Sequence, residues 1–492
     1  MGKKPNILFI FSDQHRGDTL GSVGHPVIKT PNLDKLAKEG VVFRRCYTNS
    51  PLCVPARSTF ASGLYVNQHG AWDNDAPADR NGPSHIRNIR NAGYLTALIG
   101  KTHLLNLHPG HVRDMENELH DWGYEYAMEI TSTVNDGRLK NAWTDHLAEK
   151  GLDEKYYESI RDFIRLNWSF QRKPWEDPPA PIPTEDHVDN FVGQKAVEWI
   201  NNYNDDRPFY LQVCFPGPHP PFNSAPEYRA LYKPEEMPIG ILQLPGKPYP
   251  LYTNFVIRWS NLSEMTAEQM QLMRTFYYAK ITMIDERIGD ITRALEEKGM
   301  LDNTWIIYST DHGENLGDHR LNQKIVFFES AVHIPLIIRP PGGVEGWQTH
   351  ALTDLLDVTA TFLEIADAKS LINCEGISLL SKIKAGPSGL EAQKGKDVIF
   401  SEVLGYSMVF DGRYKLAASA INSKLVELID LKEDPQELCN KVDDPSLLEV
   451  RNNLFKIYLK PFLEKTDLKK LSEYEKQSKR KRKKRMRQAS IK

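Results

Sequence analysis

An apolar run leads directly into polar residues at Ile7-Leu8-Phe9-Ile10-Phe11-Ser12-Asp13-Gln14. Five consecutive apolar residues that end so abruptly are typical of a strand buried on both faces of a sheet. Residues 306–310 repeat the arrangement and run into Asp311-His312-Gly313. Similar runs alternate with helical patterns, the strands at 97–100, 209–215, 305–310 and 334–338 and the helices at 32–39 and 268–299. This alternation predicts an α/β fold, with a large, mostly parallel sheet between layers of helices.

The chain is long enough for more than one core. Its 492 residues exceed what one small domain needs, so we expect a large domain and a smaller one. After about residue 390, short strands at 397–402, 407–410, 415–418 and 426–431 precede a helix from about 444 to 460, which Pro461 is expected to end. We predict a catalytic domain at 1–389, an α+β subdomain at 390–465 and a basic, disordered tail at 466–492.

Composition narrows the class of protein. No stretch approaches the ~20 apolar residues of a membrane span. The first residues lack a signal-peptide pattern, so a cytoplasmic location is expected, with a periplasmic or secreted location as the alternative if a leader has been removed. The five cysteines are odd in number and widely spaced, which does not suggest a disulfide framework. The segment from Lys465 to Lys492 holds 13 basic and 3 acidic residues. A solvated tail is its simplest interpretation; a tether to nucleic acid is the alternative, and nucleic acid is not an expected partner.

Two aspartates follow the apolar strands at equivalent positions. A single aspartate there would most often cap a turn, but ligands of open α/β sheets bind beyond the carboxyl ends of the strands. Asp13 and Asp311, with the neighbouring Gln14 and His312, therefore predict a divalent-cation site. Oxygen donors favour Ca²⁺ or Mg²⁺, whereas the nitrogen of His312 favours Mn²⁺ or a similar ion.

A short motif surrounds Cys53. It reads Cys53-Val54-Pro55-Ala56-Arg57, with Gly63 ten positions after the cysteine. Most cysteines are small buried thiols, and a pentapeptide alone is only moderately specific. Further motifs therefore have to decide between a structural thiol and a catalytic one.

The chain resembles the type I sulfatases of the alkaline phosphatase superfamily. The matching motifs stand in the family's order at Asn6–Asp13, Thr30–Ala37, Cys53–Gly63, Gly100–His103, Pro218–Pro220, Asp311–Gly313, Ile334–Leu336 and Asp430–Glu437. The resemblance covers nearly everything before the basic tail. It implies an alkaline phosphatase-like fold and hydrolysis of sulfate esters.

The resemblance also implies a modified nucleophile and a metal. Cys53 would be oxidised to formylglycine (3-oxoalanine) by a formylglycine-generating enzyme. A hydrated formylglycine can expel sulfate by re-forming its aldehyde, which a serine ester cannot do. Asp13, Gln14, Asp311 and His312 would hold one divalent cation together with the hydrated residue 53, and we favour Ca²⁺ over Mn²⁺ or Mg²⁺.

The remaining implied roles belong to cations and imidazoles. Arg57 would steady the formylglycine, and Lys101 and Lys324 would contact the sulfate oxygens. His103 would hydrogen-bond the diol, and His219 would protonate the leaving group, since an imidazole titrates near neutral pH. Each of these residues taken singly would more often be a surface charge or a structural histidine; their register with the other motifs favours function.

Two residues depart from the commonest sulfatase pattern. Gln14 and His312 resemble the choline-sulfatase and phosphonate monoester hydrolase branch, which leaves a phosphonate or phosphate mono- or diester hydrolase as the alternative. The spacing Lys101-Thr102-His103 is that of true sulfatases, so we favour sulfate esters. A binding protein in which Cys53 stays a thiol is a third hypothesis.

Substrate signals are weaker. Residues 68–74 follow the Cys53 helix, so Asn74 is predicted to contact the substrate, and Trp72 to stack on a sugar ring or simply to pack. Polar residues near the motifs, at His15, Arg16, His108 and His111, suit a sulfated carbohydrate. We therefore predict a sulfated saccharide, with another small sulfate ester as the alternative.

Overall fold

The computed structural model describes residues 4–75, 77–134 and 137–477, without the side chain of Trp168. Its strands are β1 (Asn6–Asp13), β2 (Val41–Phe43), β3 (Cys46–Tyr47), β4 (Leu95–Gly100), β5 (Gly110–His111), β6 (Tyr126–Glu129), β7 (Leu139–Lys140), β8 (Phe209–Pro218), β9 (Thr304–Thr310), β10 (His333–Ile334), β11 (Ile337–Arg339), β12 (Trp347–Thr349), β13 (Thr353–Asp354), β14 (Ile399–Val403), β15 (Tyr406–Phe410), β16 (Tyr414–Ser419) and β17 (Leu425–Asp430).

The α-helices are α1 (Pro31–Lys38), α2 (Cys53–Ser62), α3 (Val66–His69), α4 (His85–Asn91), α5 (Asn117–Trp122), α6 (Ala142–Glu149), α7 (Asp153–Trp168), α8 (Val188–Asn202), α9 (Pro226–Arg229), α10 (Leu251–Ser260), α11 (Ala267–Glu297), α12 (Glu329–Val332), α13 (Leu355–Ile365), α14 (Leu380–Ala385), α15 (Leu448–Asn453) and α16 (Lys460–Leu463). Among the described residues, no helix has the length and apolar character needed to cross a membrane.

A large sheet forms the centre of the molecule, in the order β12-β2-β11-β9-β1-β8-β4-β6. Adjacent strands of this sheet run parallel, except that β11 is antiparallel to both β9 and β2. Successive side chains of a strand point to opposite faces. Accordingly, Phe9 of β1 packs with Phe60 of α2 and Phe362 of α13, whereas Ile10 faces the opposite layer of α1, α8 and α11. The predicted α/β fold, with a sheet between two helical layers, is confirmed.

The strand predicted at 334–338 is wrong in one respect. The structure divides it into β10, which pairs with β3 in a small sheet, and β11, which pairs with β9 and β2 in the large one. Pro335 lies between the two strands. Because proline has no N–H to donate to a ladder, it interrupts the pairing there.

The C-terminal part contains the predicted antiparallel strands, as a four-stranded sheet in the order β14-β15-β16-β17. Pro461 does not end the following helix. A π-helical segment at Leu454–Leu459 continues into α16, where proline occupies the first turn and needs no hydrogen bond from its nitrogen.

The predicted tail is ordered where the structure describes it. Residues 468–477 are helical, so disorder is wrong for this part. The reason is packing, because Leu471 is buried in a cluster that includes Trp72, and the Lys470 Nζ atom donates to the carbonyl of Gln68. Residues 478–492 lie outside the described part of the chain. The three domain limits stay a prediction.

Candidate active site

Four neighbouring strands of the large sheet end at one edge. β4, β8, β1 and β9 are adjacent and parallel, so their carboxyl ends point the same way. Lys101, His219, Asp13 and Asp311 stand at or directly after those ends. The prediction that Asp13 and Asp311 meet at one edge is therefore met by the geometry, and two cationic or titratable side chains join them.

The edge at β4 depends on a glycine. Gly100 has a φ of 107°, a region that L side chains rarely adopt. A Cβ atom at this position would lie 1.9 Å from the carbonyl oxygen of Cys214. The close approach lets the Lys101 amide donate to that same oxygen, at 3.0 Å, which places Lys101 at the start of the site.

Cys53 is the first residue of α2 and is buried. Its Sγ atom lies 3.2 Å from the His312 Nε2 atom and 4.0 Å from the Asp13 Oδ1 atom. The exposed Asn74 accepts a hydrogen bond at 3.0 Å from the Val54 amide, so it satisfies a free donor at the start of α2. This contact places Asn74 beside Cys53, as predicted; its contact with a substrate stays a prediction.

Four side chains converge as candidate metal ligands. One ligand atom from each of Asp13, Cys53, Asp311 and His312 lies within 4.8 Å of the others, and all four residues are buried. Two carboxylates and an imidazole suit a divalent cation, and an oxygen at residue 53 would add a hard donor. The chemistry of this donor set therefore fits the cation that the sequence predicts.

Gln14 lies beside this cluster with its side chain already engaged. Its amide nitrogen donates to Glu314 and its amide oxygen accepts from the Lys324 ammonium. The backbone of Gln14 has a φ of 73°. Its backbone N–H donates to the Asp311 Oδ1 atom at 3.0 Å. Gln14 is thus next to the predicted ligands, and its role as a ligand stays a prediction.

Buried cations neutralise the two aspartates. The Arg57 guanidinium donates to the Asp311 Oδ2 atom at 2.7 Å and to the Asp13 Oδ2 atom at 3.2 Å. The Lys101 ammonium lies 2.5 Å from the same Asp13 oxygen. Burial by itself would raise the pKa of Asp13, but the charge of Lys101, assisted by Arg57 and Lys324, holds that pKa well below its usual value. Asp13 is therefore a carboxylate and able to bind a metal.

The two predicted histidines stand at the half-buried mouth of the site. Burial lowers the pKa of His103 and of His219 well below the usual value, and Lys101 and Lys324 respectively add to the effect. Both rings are therefore neutral near pH 7. The His219 Nδ1 atom donates to the Pro220 carbonyl at 2.7 Å, which leaves its Nε2 atom as an acceptor. The buried His103 Nδ1 atom has no hydrogen-bond partner among the described residues.

Lys324 comes from an irregular loop. Its neighbours have positive φ angles, at Leu316, His319, Arg320, Gln323 and Ile325. Side chains with a Cβ rarely adopt such angles, and clusters of them are typical of functional loops. Burial favours a lower pKa for Lys324, but the negative charges of Cys53 and Asp13 prevail and raise it, so the ammonium is retained next to Cys53.

Several residues from the sequence analysis lie elsewhere. The structure contradicts sugar stacking by Trp72, because its ring is buried in the cluster beneath the C-terminal sheet. His15 and Arg16 are buried in contacts of their own, with Tyr308 and with Asp18 and Asp318. His111 pairs with Asp145, and His108 is exposed. These contacts do not support the prediction that four of these residues, His15, Arg16, His108 and His111, bind a carbohydrate.

Other residues that support the site were not predicted. Glu314 holds the Gln14 side chain and accepts from the Leu316 amide; its place three residues after Asp311 is the signal for it. Glu129, at the end of β6, accepts from the Thr102 amide and hydroxyl. Burial raises the pKa of Glu129 to about 7. It orders the short segment that carries Lys101 and His103.

Helix α11 supplies further support that sequence reasoning missed. The Tyr277 hydroxyl donates to the Gln14 carbonyl at 2.7 Å and accepts from the Arg16 amide at 3.0 Å. Arg274 donates to the Leu316 carbonyl, and Lys280 to the carbonyl of His219. No local pattern distinguishes these three residues, because α11 carries polar and charged side chains at many other positions.

Known proteins are similar to this chain in sequence and in fold. The Sulfatase family model matches residues 5–368, and the model "N-sulphoglucosamine sulphohydrolase, C-terminal" matches residues 317–461. A multifunctional alkaline phosphatase superfamily protein of Trinickia caryophylli is 29% identical over 90% of this chain and 92% of its own. The choline-sulfatase of Rhizobium meliloti is 29% identical over 90% and 83%.

Among solved structures, the phosphonate monoester hydrolase of Agrobacterium radiobacter is similar to this chain. The TM-score is 0.76 at 25% identity, and the match covers 94% of this chain and 96% of the hydrolase.

Proposed function

Because the chain belongs to the sulfatase family, as a type I sulfatase of the alkaline phosphatase superfamily, we propose that it removes sulfate from a sulfated saccharide, with residue 53 as the nucleophile. It is a sulfuric ester hydrolase. The observation that carries the proposed site is the 3.2 Å contact between the Cys53 Sγ and His312 Nε2 atoms, inside the buried cluster with Asp13 and Asp311.

Residue 53 is proposed to act as formylglycine, formed by a formylglycine-generating enzyme. Formylglycine would supply a hydrated aldehyde. One of its hydroxyls would attack sulfur as the bond from sulfur to the leaving oxygen breaks. The second hydroxyl would then lose its proton, so that the aldehyde re-forms as the C–O bond to sulfate breaks. Arg57 keeps this region neutral by pairing with both aspartates. The start of α2 favours an anion at the same point.

The sulfate group is proposed to lie between Lys101 and Lys324. Both ammonium groups are buried, and both interact with the charge of Asp13. A sulfate ester becomes more negative toward its leaving oxygen as the S–O bond breaks. Fixed cations in a site shielded from water stabilise that transition state more than the ester in solution.

His219 is proposed to protonate the leaving-group oxygen. Its free ring is neutral, so it has to gain a proton before it can act as an acid. A bound sulfate ester adds a negative charge beside it and favours the imidazolium form. With Nδ1–H bound to Pro220, the second proton sits on Nε2. The His103 Nδ1 atom, which has no partner among the residues that the structure describes, is proposed to hydrogen-bond the hydrated residue 53.

One divalent cation is proposed to bind Asp13, Asp311, His312 and residue 53, with Gln14 beside them. When bound, it supplies Lewis-acid stabilisation of negative charge. Oxygen donors dominate the set, so we favour Ca²⁺, with Mn²⁺ or Mg²⁺ as the alternatives.

The saccharide substrate rests on chemistry at the mouth of the site. Asn74 is exposed there, beside the start of α2. Hydroxyl-rich ligands are bound by polar groups of this kind. The C-terminal family model takes its name from a sulfohydrolase of N-sulphoglucosamine, which is a saccharide. The similarity to a choline-sulfatase and to a phosphonate monoester hydrolase provides the two competing substrate classes.

The test combines modification with a substrate panel. The protein is co-expressed with a formylglycine-generating enzyme, and the Cys53 peptide is examined by mass spectrometry for conversion of its thiol to an aldehyde. Turnover of sulfated monosaccharides, choline sulfate and a phosphonate monoester is then compared at equal enzyme. We expect conversion and a preference for sulfated sugars, and no turnover by Cys53→Ala. An unmodified thiol would refute the nucleophile, and a preference for the phosphonate or for choline sulfate would refute the substrate.

A further inference from the structure

One polar ridge of α11 contacts three loops of the site. Arg274, Tyr277 and Lys280 are spaced three residues apart, and such residues form a continuous row on a helix surface. Arg274 binds the loop of Lys324 through the Leu316 carbonyl, and Tyr277 binds the Gln14 carbonyl. Lys280 binds the main chain around His219. Each side chain thus reaches the backbone of a different catalytic segment.

Lys280 is the least expected member of this ridge. Its side chain is completely buried. The Nζ atom donates to the His219 carbonyl at 3.0 Å and to the Pro221 carbonyl at 3.3 Å. Asp189 interacts with its charge from farther away, and that carboxylate is bound to the Gly217 amide at 2.7 Å. In the part of the chain that the structure describes, no carboxylate contacts this ammonium. Burying it without such a partner is costly, so its two carbonyl contacts need an explanation.

Those contacts bracket the hydrogen bond that orients His219. The imidazole Nδ1 atom donates to the Pro220 carbonyl, which lies between the two carbonyls that Lys280 holds. Three successive carbonyls are therefore bound, the outer two by Lys280 and the middle one by the ring and by the Thr133 hydroxyl, at 3.1 Å. If Lys280 is removed, the flanking peptides can rotate, and the Pro220 carbonyl that aims the ring moves with them.

We propose that Lys280 is a positioning residue that aims the His219 Nε2 atom at the leaving-group oxygen by clamping the His219 and Pro221 carbonyls. This inference rests on the proposed role of His219 as the general acid. Lys280 itself touches neither substrate nor metal. It acts only through the direction of the ring.

The proposal predicts a particular dependence on the leaving group. Poor leaving groups such as sugar alkoxides need the proton of His219, whereas activated aryl leaving groups depart without it. Misplacing a catalytic group by about 1 Å can cost up to 10²-fold in rate. For Lys280→Met we therefore expect kcat to fall on the order of 10–100-fold with an alkyl sulfate and to change little with a nitrophenyl sulfate.

A double-mutant cycle tests the connection. His219→Ala, Lys280→Met and the double variant are compared over a series of sulfate esters with leaving groups of increasing pKa, using the formylglycine-containing enzyme. We expect both single variants to steepen the dependence of kcat on leaving-group pKa. In the double variant, Lys280→Met should add almost nothing to His219→Ala, because residues that act through one another are not additive.

Matched variants separate positioning from stability. Lys382→Met removes another buried lysine, on α14, and is expected to leave the leaving-group dependence unchanged. Lys280→Gln provides an amide N–H donor in place of the ammonium. We expect its dependence of kcat on leaving-group pKa to lie between those of the unsubstituted enzyme and Lys280→Met. This variant takes the place of Lys280→Met if that one does not fold. Equal losses for every leaving group, or losses that add to those of His219→Ala, would overturn the inference. If His219→Ala itself shows no such dependence, the general-acid role fails first and the inference with it.

Discussion

Arg57 shows how single residues make this site tolerable to the fold. Asp13 and Asp311 are fully buried and close enough to bind the same metal ion. Two carboxylates at this distance would repel each other. The Arg57 fork contacts both, and Lys101 contacts Asp13 from another side. The donors of a planar guanidinium are held in a rigid fork, so Arg57 fixes the angle between the two carboxylates more firmly than a freely rotating ammonium would. The charge balance of the metal site is therefore built into α2, four residues after Cys53.

Gly100 is a residue where one atom decides the geometry. Replacing it by alanine places a methyl group 1.9 Å from the Cys214 carbonyl, so β4 and β8 have to separate where Lys101 begins. We expect Gly100→Ala to lower the free energy of unfolding by about 3 kcal/mol, from overpacking combined with the unfavourable φ. We also expect kcat to fall sharply, because the segment that carries Lys101 and His103 shifts.

Gly93→Ala is the matched control for this prediction. Gly93 has a similar φ of 94°, but nothing lies within 4 Å of its Cβ position. Only the cost of the backbone angle, about 1–2 kcal/mol, should appear, and activity should be unchanged. Urea denaturation and kcat on a sulfate ester give both readouts. Equal effects of the two substitutions would contradict a steric role for Gly100.

At the scale of elements, the strands were easier to predict than their supports. An apolar run that ends in Asp13 or Asp311 is a local pattern, and the carboxyl-edge rule then places both side chains together. The prediction that Trp72 stacks on a sugar was wrong, because closeness to α2 in sequence does not show which residues the C-terminal sheet covers. The contacts of Tyr277 with Gln14 join residues more than 260 positions apart, which no local pattern could reveal.

Tyr277 allows the support from α11 to be tested. Tyr277→Phe leaves the Gln14 carbonyl and the Arg16 amide without their partner. Unpaired buried groups cost about 1–3 kcal/mol each, so we expect the two groups together to lower the free energy of unfolding by about 2–6 kcal/mol. We also expect weaker binding of the divalent cation, because Gln14 and Asp13 are adjacent in the chain. Calorimetric titration of the metal-free protein with Ca²⁺, and urea denaturation, measure the two effects.

Tyr278→Phe provides the comparison on the same helix. The Tyr278 hydroxyl binds the His25 Nε2 atom at 3.0 Å, outside the site. Its loss should lower stability and leave the affinity for the cation unchanged. The prediction fails if both substitutions change metal affinity alike, or if neither does.

At the scale of the molecule, the C-terminal sheet is connected to the site through a continuous set of contacts. Lys415 of β16 is buried and pairs at 2.7 Å with both Glu329 and Glu437. Glu329 begins α12, and the Ala331 carbonyl of that helix accepts from the Gly313 amide, next to His312. On the other side, the Asn67 side chain binds the Phe462 carbonyl. The C-terminal part therefore supports the segment of the candidate metal ligand His312, in addition to covering apolar surface.

Glu402 makes this connection dependent on pH. It lies in β14, where it accepts from the Asn67 amide at the start of α3 and from the Ser407 hydroxyl. Burial raises the pKa of Glu402 from its usual 4.5 to about 8, although these hydrogen bonds oppose the change. Between these two pH values the folded protein holds a proton that the unfolded chain has released. Its contribution to stability is complete below pH 4.5 and is lost as pH rises to about 8.

The prediction concerns the range from pH 7 to pH 8.5. Buried histidines such as His69 and His85 have lowered pKa values, about 3 and about 4, and so reduce stability only below about pH 6.5, the usual value at which the unfolded chain begins to take up their protons. Burial also raises the pKa of four other carboxyls, those of Glu129, Asp357, Glu427 and Glu437, to about 7. These groups contribute near pH 7, and Glu402 contributes most near pH 8. We expect the Glu402 carboxyl to account for a fall of about 1 kcal/mol per pH unit in the free energy of unfolding up to pH 8. Glu402→Gln should remove this share of the slope, since its amide can still accept from Asn67 and donate to Ser407, whereas Glu391→Gln, at an exposed position, should keep the full slope. Urea denaturation at four pH values measures the slopes, and equal slopes for Glu402→Gln and the unsubstituted protein would contradict the raised pKa.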